Sequence, residues 1–227
     1  KLIYPGDKIT VTKDITLTAV YTNKPQTETI KYHYNFTDKD GNYNDDTFED
    51  GNHPKNTNAI VKSLKDVGFE APTGYEFRGW ATAPNGNVEY QPNTKVFVDA
   101  NGDNNLYAVW QVKTYTIKWV DWDGSEVRTD TEVPYGTELE VPEDPTRAAD
   151  DQYTYTFKGW DKPLEKVTKD VTYTAVYEET INKYTVTWVN WDNKELEKDE
   201  DVPYGADPEY NGKEPTKAGN AQYSYKF

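Results

Sequence analysis

The chain has 227 residues, no cysteine, and a net charge of -15 from 40 acidic against 25 basic residues. That balance argues against nucleic acid or anionic lipid as a partner, since both need a positive surface, and without cysteine there is no disulfide framework and no thiol chemistry. With 15% aromatic residues, the chain is too rich in rings for a disordered acidic polymer and is expected to fold.

The chain starts at Lys1 and has no methionine, so a longer product is expected, with any signal peptide or anchor outside this segment. No apolar run reaches about 18 residues, and no membrane insertion is expected here. Residues 1–21 hold a turn at Tyr4-Pro5-Gly6-Asp7 and then one alternating strand, VTKDITLTAVY, over 11–21. Polar TNKPQTET at 22–29 reads as a linker. Residues 30–111 form a first complete copy of a module. It opens with IKYHYNF, turns at Asp40-Gly41, and later carries GYEFRGW and LYAVW. A short helix is predicted over 59–67, capped by Asn58, with Ile60, Val61 and Leu64 on one face and Gly68 as its stop.

Residues 115–178 form a second copy. YTIKWVDWDGSEVRTDTEVPYG reads as two strands joined around Asp123-Gly124, a strong hairpin signal. Residues 153–177 hold two more alternating runs, with Gly159 placed where a strand ends or bulges and Trp160 is re-aimed. The run 167–177 repeats 11–21, differing only at Val171 against Ile15 and Tyr173 against Leu17. Residues 184–227 begin a third copy, in which Tyr115, Trp119 and Trp122 recur as Tyr184, Trp188 and Trp191. The linkers between copies, about three to eight residues, leave little slack. The fold class is mostly β, as small α+β modules in a tandem array.

A module of about 70 residues sits near the lower size limit for independent stability. Its rings are therefore core candidates first. Trp80, Trp110, Trp160, Tyr107 and Tyr177 are assigned to the core, each contributing on the order of 2–3 kcal/mol on burial.

The combination GYEFRGW, PNTKV and LYAVW resembles the Listeria–Bacteroides repeat, related to the internalin B-repeat. Pro5–Ile9 and residues 17–21 match its second half, while the copies from Tyr115 and Tyr184 resemble a shorter variant. The resemblance implies β-grasp-like modules strung in tandem along bacterial surface proteins, often as a stalk, with no catalytic signature to carry over.

The two histidines, His33 and His53, lie in a strand and a turn without metal-ligand spacing or a neighbouring nucleophile. The adjacent carboxylates Asp45-Asp46, Glu49-Asp50 and Asp150-Asp151 read as solvated loop charge. Asp99, Asn101 and Asp103 have calcium-loop spacing, and Asp38 and Asp40 form a second such group. The Gly and Glu that an EF-type loop needs are not in register with either, so a plain turn is the expected reading and calcium the alternative. No other cofactor is implied.

Residues three apart in a strand face opposite ways, so one Trp of each pair Trp119/Trp122 and Trp188/Trp191 should face outward. Trp122 and Trp191 are thus candidate sugar-stacking rings, the alternative being packing against a neighbouring module. The function expected is a non-enzymatic, extracellular stalk: an elongated rod on a bacterial surface that carries an adhesin-like distal domain and has neighbouring repeats as its first partners. The alternative is a module array that binds host or microbial glycans or proteins. The incomplete copies at 1–21 and 184–227 leave two outcomes open. Either 11–21 packs onto the first complete copy, or the halves meet between chains in head-to-tail self-association.

Overall fold

The computed structural model describes residues 2–227, and all regular secondary structure among them is β. It divides into two units. One holds the chain up to Ala71 with Phe77–Gln111, the other Pro72–Glu76 with Val112–Phe227.

In the first unit, β1 (Thr27–His33) is antiparallel to β4 (Thr47–Pro54) and parallel to β8 (Asn105–Val112). With β6 (Tyr75–Ala81) on the other side of β8, the sheet order is β4-β1-β8-β6. Two short ladders accompany it: β2 (Phe36–Thr37) with β3 (Tyr43–Asn44), and β5 (Thr57–Ile60) with β7 (Lys95–Val98). Period-2 alternation sends Ile30 and Tyr32 of β1, Leu106 and Ala108 of β8, and Val96 and Val98 of β7 inward around Trp80. Tyr32 meets Trp80 edge-on, with ring centroids 4.8 Å apart. One backbone residue satisfies both polar tips: Lys62 donates its N–H to Tyr32 Oη at 3.0 Å, and its carbonyl accepts from Trp80 Nε1 at 3.0 Å. That pairing holds the 61–67 segment over the core, since neither polar tip is tolerated unpaired in an apolar interior.

The helix predicted over 59–67 is not formed. Residues Ala59 and Ile60 belong to β5, and Ala59 and Val61 are buried while Ile60 between them is exposed, which is strand periodicity. Helical bonding is confined to one turn further on. There Ser63 Oγ accepts from Asp66 N–H and Asp66 Oδ2 from Ser63 N–H, a reciprocal cap. The turn closes with Phe69 N–H to Leu64 O and Gly68 N–H to Lys65 O, with Gly68 at φ 75, the paired bonds of a Schellman stop. The stop is where the sequence placed it; the start is not.

The second unit repeats the sheet. Its strands β9 (Thr114–Val120), β10 (Glu126–Pro134), β11 (Tyr153–Trp160) and β12 (Val171–Ile181) take the order β10-β9-β12-β11, with β9 and β12 parallel. Gly124, at φ 85, turns the β9–β10 hairpin. The β11 register shifts between Phe157 and Gly159, whose φ of 135 suits glycine, and this bulge turns Trp160 toward Trp119. Trp119 is the fully buried ring here; Trp160 is partly buried against it. Tyr173, the register partner of Trp119, stacks on it with centroids 4.7 Å apart. Trp119 Nε1 donates to Asp130 Oδ2 at 3.1 Å, and Arg128 pairs with the same oxygen at 2.8 Å. After β12 come β13 (Lys183–Val189) and β14 (Glu195–Pro203), an antiparallel hairpin in which Trp188 Nε1 donates to Asp199 at 2.8 Å.

Two boundary expectations change. No strand is assigned among described residues before Thr27, and Ile15, Leu17 and Val20 are exposed, so 11–21 does not pack onto the first copy as a strand. The reason is topological. The twin of 11–21 is β12, which pairs with a module's first strand, and β1 already has β8 in that place and β4 on its other side. The linkers are also shorter than expected: only Lys113 separates β8 from β9, and only Asn182 separates β12 from β13.

Burial ranks the rings. Trp119→Ala should cost about 3–5 kcal/mol, as for large-to-small changes at fully buried sites, and Trp160→Ala less. Urea unfolding followed by circular dichroism checks the order; an equal or reversed ranking contradicts this core.

Candidate functional site

The chemistry-bearing side chains gather in two places. In the second unit, the turn after β9 is built on Asp121. Its Oδ1 accepts from Trp122 N–H and from Tyr177 Oη, both at 2.8 Å, and its own N–H donates to Ser125 O. Trp122 lies beyond the end of β9, so the turn and not strand alternation places it outward, 51% exposed. Its ring is met by Arg147, whose guanidinium carbon lies 4.0 Å from the Trp122 centroid and 3.4 Å from that of Tyr155. The guanidinium thus sits between two aromatic faces, the geometry in which ring quadrupoles attract a cation. Glu179 is 4.0 Å away. Asp150 fastens the other side. Its carboxylate accepts from Tyr153 and Gln152 N–H and from Tyr155 Oη, and these bonds, the Tyr153 bond foremost, hold its carboxyl below the usual range.

The same arrangement recurs after β13. Lys217 Nζ lies 4.5 Å from the Trp191 centroid and 4.3 Å from that of Tyr225, and Trp191 is 64% exposed. Sequence reasoning identified the two tryptophans but missed their cations. The signal was present: Pro145-Thr146-Arg147-Ala148 recurs as Pro215-Thr216-Lys217-Ala218, at matching distance from YTYTF and YSYKF. One face of Trp122 is met by Arg147 and one face of Trp191 by Lys217.

In the first unit, His33 is buried. Its Nδ1 lies 2.8 Å from Asp45 Oδ2 and its Nε2 3.1 Å from Asn105 Oδ1, and its ring stacks on Tyr107 at 4.3 Å. Both ring nitrogens face protein oxygens, which leaves no lone pair directed at a substrate. Asp45 also accepts from Asn35 N–H. Glu49, Asp50 and His53 lie in β4 and not in loops or a turn, and Asp50 pairs with His53 at 3.0 Å. Tyr107 is partly buried. Trp110 is partly buried too, with its Nε1 donating to Tyr34 O at 2.7 Å. Tyr177 is the partly buried counterpart in the second unit.

The calcium-type loops are turns closed on their own backbone. Asp38 Oδ1 accepts from Asp40 and Asn42 N–H, and Asp99 Oδ1 accepts from Asn101 N–H. Asn104, by its side-chain amide, brackets Asp99 on both backbone sides. Among the described residues, no group of three or more His, Cys, Asp or Glu converges to hold a metal ion. No helix there is long and apolar enough to cross a membrane.

Residues 29–109 and 115–183 match the Listeria-Bacteroides repeat domain. A protein of Evansella cellulosilytica with the provisional name Gly-rich membrane protein is 32% identical over 127 residues, covering 52% of this chain. The chain spans only 14% of that relative's length. Among solved structures, the Streptococcal High Identity Repeats in Tandem domains 3-4 of a cell surface protein align over 59% of this chain and 84% of theirs, at 15% identity. The TM-score of that alignment is 0.25, too low to carry an argument about this chain.

Two outcomes test the site. Arg147→Ala should cost about 0.5–2 kcal/mol, the range of a cation–π contact from exposed to desolvated sites, and change the tryptophan fluorescence, whereas a sugar panel should give no saturable quenching of the unmodified protein. Saturable quenching that strengthens in Arg147→Ala would instead make the clamp a covered sugar platform. Alkali is the second test. Burial, then the hydrogen bond to Asp121, pushes Tyr177 up to about 12 from 10.0, and burial does the same for Tyr32. Both groups are neutral in folded and unfolded chains below pH 10. Above it only the unfolded chain ionises, so the stability they contribute drains away as pH rises from about 10 to about 12. Urea unfolding followed by circular dichroism should therefore show stability falling across that window; a stability unchanged between about pH 9 and about pH 12 contradicts the link.

Proposed function

The chain belongs to the Listeria-Bacteroides repeat family, and on that premise we propose that it is a non-catalytic spacer in a bacterial surface protein, a stalk whose modules are β-grasp-like and follow one another as an elongated rod. The observation that carries the reading is the passage from β12 into β13 through the single residue Asn182. Its N–H donates to Gln152 O and its carbonyl accepts from Tyr204 N–H, both at 2.8 Å. A residue bonded on both sides has little freedom, so the strand that ends one repeat delivers the chain directly into the next. Within the second unit Lys113 carries the matching bonds, to Gly74 O and from Tyr135 N–H, each at 2.8 Å.

Two further features support the reading. The sheet order, with the module's first and last strands paired at its centre and hairpins outside, is the arrangement expected of a β-grasp sheet. The helix that would cross such a sheet is replaced by the 61–68 segment with its single capped turn. His33, His53, Asp45, Asp50 and Asp150 are engaged in structural pairs, which fits a module that carries load or sets distance without transforming a substrate. A cell-surface location and a distal binding domain elsewhere in the parent protein belong to the same proposal.

Small-angle scattering of the 227-residue chain decides the shape. A pair-distance distribution with the long tail of an elongated particle is expected; the symmetric profile of a compact globule of this mass overturns the stalk.

A further inference from the structure

Each complete module places its first and last strands side by side and parallel, and fastens that pair at both ends. Between β1 and β8 the register pairs are Lys31 with Asn105, Tyr32 with Leu106 and His33 with Tyr107. Between β9 and β12 they run from Ile117 with Val171 to Val120 with Thr174. At the leading end, Lys31 N–H donates to Asn104 O at 2.9 Å, and Thr116 N–H donates to Asp170 Oδ1 at 2.8 Å. At the trailing end, Trp110 Nε1 donates to Tyr34 O in one module, and Tyr177 Oη to Asp121 Oδ1 in the other. Trp110 and Tyr177 occupy the same place in their strands, as the final ring of LYAVW and of TYTAVY. The two modules therefore close one joint with different chemistry. Side chains add to the pair along its length: His33 stacks on Tyr107 in one module, Trp119 on Tyr173 in the other.

We propose that this parallel pair is a mechanical clamp, which gives the modules a load-bearing function beyond that of setting distance. The proposal rests on the stalk reading only for the source of the tension. In a tandem chain, tension enters a module at the head of its first strand and leaves at the tail of its last. Because the two strands are parallel neighbours, that tension slides one along the other and loads every bond between them at once. Had they been antiparallel, the same tension would part them one bond at a time. Simultaneous loading leaves only a short extension before the pair ruptures, so force accelerates unfolding weakly and a high force is needed.

The full chain has no cysteine, so engineered pairs supply unique handles for optical tweezers. Thr114→Cys with Ile181→Cys loads β9 against β12 in shear. Thr114→Cys with Lys169→Cys pulls on the adjacent leading ends and peels the same strands apart. Forced unfolding follows the unfolding rate, so the shear pair should rupture at a force at least about twofold above the peel pair. Tyr177→Phe, which removes one trailing fastener, should lower the shear force and leave the peel force unmoved. Equal forces in the two geometries overturn the clamp, as does a Tyr177→Phe variant that weakens both alike, since that is loss of general stability. An extended scattering profile with equal forces removes the clamp and keeps the stalk. A compact profile with unequal forces removes the stalk and keeps the clamp.

Discussion

The structure depends on one pairing: the parallel contact between the strand that opens a module and the strand that closes it. Each module is small and lacks disulfides, so its stability must come from burying rings, and the rings are buried where these strands meet. Tyr32 and Leu106 face each other there in one unit, Trp119 and Tyr173 in the other. A parallel pair cannot be joined by a tight turn and needs a long connection over one face of the sheet. In the first unit part of that connection becomes the lid of the core. Lys62 is the fixing point because it can donate to one ring and accept from the other with its own backbone. The fold thus turns an unavoidable crossover into the satisfaction of two buried polar atoms.

Much of this was legible in the chain, for physical reasons that also mark its limits. The alternation in YTYTFKGW and VTYTAVY identified β11 and β12, Asp123-Gly124 the hairpin, and Gly159 the bulge, because each of those signals is local. The helix over 59–67 failed because Ile60, Val61 and Leu64 fit a helical face, while the strand buries Ala59 and Val61 and leaves Ile60 outside. Which period wins was decided by β7, a strand far along the chain that pairs with β5. The rank of Trp119 above Trp160 was not legible for a related reason. Both lie in alternating runs, and burial went to the ring on the central strand, a matter of sheet order that sequence spacing does not carry.

The cation clamps show a different limit. Trp122 and Trp191 stood out as exposed rings, and an exposed ring by itself invites a ligand. Each ring already has a partner within its own repeat: Arg147 in one and Lys217 in the next. These cations sit in irregular loops with no periodicity to flag them, and only comparison of one repeat with another reveals them. The same comparison separates role from accident, because a cation between a Trp and a Tyr, arrived at with two different side chains, is a position the fold uses.

The trailing joint is the strongest case of one position closed by two chemistries. An indole N–H on a backbone carbonyl and a phenol on a carboxylate share no atoms, and they differ in their response to pH. The indole bond does not titrate in water. The phenol bond survives only while Tyr177 keeps its proton, which burial and Asp121 extend to about pH 12. Two chemistries converge on one joint only if the joint itself matters more than the means of closing it. The joint ties the last ring of a module's closing strand to the end of its opening strand. For packing alone, any buried contact would serve there. A directional bond placed at the end where the chain leaves the module is what the proposed clamp would need.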